Sequence, residues 1–160
     1  MGEGTSNINQ LAYSRTPIPH WYLLEHLELV RFPHYKPLEI ELAKRFIRSG
    51  QLKGAWQFSV LLETPDSRRI REIYAGKYAR QAELSMLEID AVVEVEDAIY
   101  LVEFFERFDD KALGHLITYR RLYLEQFHPT LPVRLMVVAV VDNPAVRDTY
   151  DSEGVEWRIA

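Results

Sequence analysis

Two runs of alternating character stand out in the middle of the chain. Met86 to Val95 and Ala98 to Phe105 are rich in β-branched and aromatic residues and flank the polar pair Glu96-Asp97. That is the pattern of a β-hairpin. A two-residue turn at Glu96-Asp97 pairs Val95 with Ala98, and the register then sets Asp90 directly across from Glu103. One face carries Glu88, Asp90, Val92 and Glu94 opposite Phe105, Glu103, Leu101 and Ile99. The other carries Leu87, Ile89, Ala91, Val93 and Val95 against Phe104, Val102, Tyr100 and Ala98, all apolar and expected in the core.

The periodicity elsewhere predicts a mixed α/β chain. Pro37 suits a first helical position and Gly50 the residue past a helix end, so residues 37–49 read as a helix. Its apolar face holds Leu38, Leu42, Ala43, Phe46 and Ile47. Glu39 projects near the centre of that face, whereas Glu41 points to solvent, four residues before Arg45. Trp56 to Leu62 alternates as a strand, and Thr64-Pro65-Asp66-Ser67 reads as a turn. Residues 68–84 suggest a further strand or a long loop. Asp109 or Asp110 can cap a helix running to about Phe127. The apolar run Val133 to Val141 is expected to be a strand covered on both faces. Asn143-Pro144 opens a short helix, Gly154 closes it, and Val155 to Ile159 makes a last strand. Residues 1–36 read as an N-terminal arm and an irregular segment packed on the domain of residues 37–160, with a short helix within Trp21 to Arg31.

Composition narrows the class. The chain has 160 residues, 48% hydrophobic and 27% charged, as in a single ordinary globular domain. No apolar run approaches the roughly 18 residues of a membrane span, and the N-terminus lacks a signal core, so a cytoplasmic protein without a membrane partner is expected. Zero cysteines exclude disulfides, thiolate metal sites and a Cys nucleophile. A net charge of −5 argues against a surface that coats nucleic acid broadly. The basic cluster is Arg68, Arg69, Arg71, Lys77 and Arg80, interleaved with Tyr74 and Tyr78. It could contact phosphates, or pair with the abundant acids as a charged surface ribbon.

Asp90 opposite Glu103 is the pair that points to chemistry. Like charges directly across an antiparallel pair are destabilising unless something offsets them. A Mg²⁺ ion would do so, since hard cations take carboxylate oxygens and keep waters for reaction. Glu39 could be a third ligand or an orienting group. Taken alone, acids on one hairpin face are more commonly a solvated face.

The stretches Glu88-Ile89-Asp90-Ala91-Val92-Val93, Ile99-Tyr100-Leu101-Val102-Glu103-Phe104-Phe105 and Ala112-Leu113-Gly114-His115-Leu116-Ile117-Thr118-Tyr119 resemble the PD-(D/E)XK nucleases, most of all small phage and mobile-element members. The resemblance spans residues 37–159. It implies a restriction-endonuclease-like core, a mixed β-sheet flanked by helices in the order α-β-β-β-α-β-α-β. It also implies Asp90 and Glu103 as metal ligands, Glu39 as the first-helix Glu, Mg as cofactor and DNA as partner. Phe105 stands where the family's catalytic Lys belongs, and His115 where a Gln is common. Phe offers neither donor nor charge. The expected function is therefore a catalytically degenerate nuclease fold, serving as a structural or interaction subunit of a phage or mobile-element assembly, with protein partners or copies of itself. Such a protein would be virion-associated if phage-derived. The alternative is an active Mg-dependent DNA endo- or exonuclease whose cationic role has moved to Arg107, Arg120, Lys77 or Lys111.

Overall fold

The hairpin lies at the centre of one six-stranded sheet. The structure is a computed structural model and describes residues 16–32, 34–74 and 77–160. Strands β1 (Ile18–Pro19), β2 (Ala55–Leu62), β3 (Leu87–Glu94), β4 (Ile99–Arg107), β5 (Val133–Val141) and β6 (Val155–Ile159) follow one another across the sheet in chain order. Neighbours from β1 to β4 run antiparallel, whereas β5 and β6 join in parallel. Around the sheet lie α1 (His20–Glu25), α2 (Pro37–Ser49), α3 (Pro65–Tyr74), α4 (Ala79–Leu84), α5 (Asp110–Phe127) and α6 (Pro144–Ser152). The expected mixed sheet flanked by helices is what forms. No helix among the described residues is long and apolar enough to cross a membrane.

The hairpin register is the one its sequence predicts. Val95 N–H bonds to the Ala98 carbonyl at 2.9 Å, and Val93↔Tyr100 and Ala91↔Val102 pair beyond it. Both faces of the sheet are covered, as expected of a sheet flanked by helices. On one side α1 and α2 bring Leu23, Phe46 and Ile47 onto Trp56, Phe58, Val102 and Phe104. On the other, α5 and α6 bring Leu116, Tyr119 and Tyr150 onto Val92, Leu101 and Val137. Fully burying one side chain such as Phe104 contributes about 1.5–3 kcal/mol, so the two cores fix the sheet from both sides.

Four expectations need correcting. Residues 68–74 and 79–84 form helices, not a strand or loop, and Thr64 to Ser67 starts α3 instead of making a turn. Thr64 Oγ1 accepts the Ser67 N–H at 3.1 Å, and Ser67 Oγ accepts the Thr64 N–H at 2.9 Å. This reciprocal cap precedes a Pro at the first helical position, where its missing N–H costs nothing. Leu38 is 41% exposed, and Leu42, Ala43, Phe46 and Ile47 carry the buried face. Finally, Ile89 leaves the face of Ala91 and Val93 and joins the α5 side of the core.

The last correction has a local cause. The β2–β3 pairing includes Phe58↔Ala91 and Val60↔Ile89 but skips the rung between them, Ser59 opposite Asp90. Ser59 has φ +52°, a left-handed conformation uncommon for a residue with a side chain. The two strands turn over at that rung. Phe58 and Ala91 accordingly serve one core, while Val60 and Ile89 serve the other.

Candidate functional site

The turned-over rung frees backbone groups, and carboxylates take them up. The β3–β4 ladder stops at Ala91↔Val102. One residue further on, Asp90 N–H donates to Glu103 Oε1 at 3.0 Å and Phe104 N–H donates to Asp90 Oδ2 at 2.9 Å. The Asp90 carbonyl accepts the Tyr35 hydroxyl. Each carboxylate thus bonds a backbone N–H beside the other, and the pair is clamped in place by main chain. Glu103 is buried and Asp90 half-buried.

The electrostatics of the pair are one-sided. Burial raises the Asp90 carboxyl to about 7; the Phe104 N–H opposes the shift, and the charges of Glu39 and Glu88 add to it. Glu103 is also raised well above the usual carboxylate range, by burial first and then by Asp90. The Tyr35 and Tyr119 phenols are pushed up by burial and by these same acids. None of these shifts has a Lys or Arg among its causes, and no salt bridge among the described residues involves Asp90 or Glu103. Two buried like charges without a cation must hold a proton or bind one from outside.

The sequence-predicted residues distribute as follows. Glu39 lies near enough to act on both carboxylates. It is half-buried, not central to the apolar face, and its Oε2 accepts the Lys36 N–H at 2.9 Å as the α2 cap. Glu88 faces His34, with Nδ1 3.0 Å from Oε2. Phe105 follows Glu103 on the α5 side, packed against the core there, with its ring centroid 6.0 Å from His115. His115 in turn lies 5.7 Å from Tyr119. An aromatic row thus occupies the position where the resemblance implies an amine.

The candidate replacement cations are not gathered at the pair. Arg107 is exposed near the end of β4, Lys111 is exposed on the first turn of α5, and Lys77 lies over the Tyr78 ring at 5.9 Å. Arg120 is half-buried on α5 and forms no ion pair among the described residues. The basic cluster sits on α3, α4 and, at Lys77, the turn before α4, all between Leu62 and Leu87. Arg68 and Arg71 both pair with Glu63, while Arg69 and Arg80 are exposed.

Sequence reasoning missed Tyr35, Tyr119 and Ser59. Tyr119 lies on the inward stripe of α5 and could have been found from it. Tyr35 comes from an irregular segment, where no periodicity points.

Among the described residues no three His, Cys, Asp or Glu side chains converge as a metal cluster. The donor set is instead two carboxylates, each with one oxygen on a backbone N–H. Such a pair suits Mg²⁺, which commonly binds through one or two carboxylates and keeps several waters. It does not suit a structural zinc, which takes four N or S ligands.

No family model matches the chain, and no curated protein matches it. Among solved structures it is similar to the crystal structure of a repair endonuclease from Pyrococcus abyssi, at 20% identity and a TM-score of 0.49. The match covers 82% of this chain and 50% of that one, so this chain spans about half the length of the endonuclease.

Proposed function

We propose that the chain is a PD-(D/E)XK-type nuclease fold that keeps the acidic half of the site, has lost the cationic half, and acts as a structural or interaction subunit. The observation that carries this reading is the Asp90–Glu103 pair. It is clamped by the Asp90 and Phe104 N–H groups, surrounded by further acids, and followed by Phe105 where a cation would be needed. The oxygens of Asp90 and Glu103 not bonded to backbone would hold a Mg²⁺ ion. When bound, that ion would offset the paired charge and could acidify a water.

Cleavage of a phosphodiester needs more than a metal. Charge developing on the phosphate must meet a fixed donor, and loss of one such donor commonly costs about 10²–10³ in rate. Phe105 supplies none, and the row of Phe105, His115 and Tyr119 leaves that side of the pair aromatic. The resemblance to small phage and mobile-element nucleases supports a role within an assembly of that kind.

A second reading is favoured by Arg120, half-buried on α5 without an ion-pair partner among the described residues. In that reading the chain is an active Mg-dependent DNA nuclease whose cation has moved to α5, with Arg69 and Arg80 contacting phosphates. The two separate in a cleavage assay on single- and double-stranded DNA in Mg²⁺ or Mn²⁺, with Asp90→Ala and Arg120→Ala beside the wild type. A silent wild type is expected. Cleavage that both variants abolish would establish the second reading instead.

A further inference from the structure

We propose that β6 is a self-association edge, pairing antiparallel with β6 of a second copy about a two-fold axis at Trp157. This inference is independent of the catalytic state of the carboxylate pair.

The direction of the backbone groups comes first. Among the described residues the sheet ends at β6. Ala160 N–H donates to the Ala139 carbonyl at 2.9 Å, so even-numbered residues at this end of the chain direct their backbone groups to β5. In a strand these groups alternate sides. Val155, Trp157 and Ile159 therefore direct N–H and C=O outwards. A groove of about 510 Å³, lined by Asp151, Gly154, Val155, Glu156, Trp157 and Arg158, runs along this edge. An exposed row of donors and acceptors is a template for another strand.

The register follows from charge. Centred on Trp157, an antiparallel pair matches Val155 to Ile159 and Trp157 to Trp157 of the second copy, and all three outward residues meet outward residues. It also sets Glu156 opposite Arg158 of the second copy, twice over by symmetry. Moving the centre by one residue puts Glu156 opposite Glu156, or Arg158 opposite Arg158, and like charges directly opposite are destabilising. The strand is thus self-complementary in one register and repulsive in its neighbours, the requirement of an isologous two-fold interface.

The single chain already satisfies the same groups internally. Arg158 Nη2 lies 3.4 Å from Glu156 Oε1, and Arg158 Nη1 donates to the outward Trp157 carbonyl at 2.9 Å. On pairing, the N–H of the second copy's Trp157 takes over that carbonyl, and the guanidinium turns to the opposing Glu156. Trp157 itself stays fixed, with Nε1 on Asp151 Oδ1 at 3.1 Å and Arg147 over its ring at 4.6 Å. A five-residue edge is short, so the dimer is concentration-dependent.

The test is sedimentation equilibrium of the full chain across the micromolar range, on wild type, Glu156→Arg, Arg158→Glu and the double swap. Both side chains are partly exposed, and circular dichroism checks that each variant is folded. Self-association of the wild type is expected, weakened about tenfold or more by either single reversal and restored in the double swap. Mixing the two single variants should give a heterodimer. A wild type that stays monomeric, or a dimer that the single reversals leave unchanged, would overturn the proposal.

Discussion

Asp90 and Glu103 are joined across β3 and β4 through the backbone, not through each other's charge: Asp90 N–H reaches Glu103 Oε1 at 3.0 Å, and Phe104 N–H returns to Asp90 Oδ2 at 2.9 Å. The ladder gives up its regular rungs here, and the left-handed Ser59 is the residue opposite. Backbone N–H groups stabilise the carboxylates but cannot neutralise both. The consequences are measurable.

Stability should fall as pH rises from about 4 to 7. Asp90 has its carboxyl raised from an ordinary 3.8 to about 7. Between those values the folded chain holds more protons than the unfolded one, so unfolding free energy declines with pH. The stabilisation is complete below about pH 4 and lost as pH passes through 7. Urea denaturation at low salt without divalent metal should show this loss, on the order of 2 kcal/mol. A flat profile would show that Asp90 titrates as an ordinary exposed carboxyl.

Asp90→Asn should remove both the repulsion and the metal response. The Asn oxygen can still accept the Phe104 N–H, while the like charge is gone. At pH 8 we expect the variant to melt a few degrees above metal-free wild type. Millimolar Mg²⁺ should stabilise the wild type and leave the variant unchanged. EDTA should erase the wild-type gain.

Gly54 should tolerate no side chain. A Cβ there would lie 2.3 Å from the Glu94 carbonyl oxygen, a backbone atom of the neighbouring strand. Gly54→Ala should therefore cost about 1–3 kcal/mol in chemical denaturation. The damage would sit at the turn end of β3, far along the strand from Asp90, so the pH profile should keep its shape.

The cap of α5 offers a milder test. Asp109 Oδ1 accepts N–H groups from Lys111 at 3.0 Å and Ala112 at 3.3 Å. Asp109→Ala should cost about 1 kcal/mol. Its carbonyl, which accepts the Tyr150 hydroxyl, is unaffected by the change.

What the sequence made legible was the part governed by local pattern. Alternation in Met86 to Phe105 was enough to give the register of Asp90 against Glu103. Asp109, Asn143 and Gly154 marked element ends that the structure keeps. The helices of residues 65–74 and 79–84 escaped because Thr64 and Ser67 are also turn formers, although here the pair caps a helix with Pro65 inside it. The turnover at Ser59 was not readable at all. It depends on what opposes Ser59 across the sheet, and no residue in Trp56 to Leu62 announces a left-handed backbone. Glu39 was recognised as unusual for a reason that proved only partly right. It acts on the carboxylate pair, but its hydrogen bond to Lys36 N–H gives it a capping duty as well.

The site has its acids and lacks its cation, and Phe105→Lys is the substitution that would supply one. Wild type, Phe105→Lys and the double variant with Asp90→Ala would be incubated with DNA in Mg²⁺, with folding checked by circular dichroism. A silent wild type, metal-dependent cleavage by Phe105→Lys, and none by the double variant are expected. Cleavage by the wild type at a rate that Phe105→Lys does not raise would contradict that expectation.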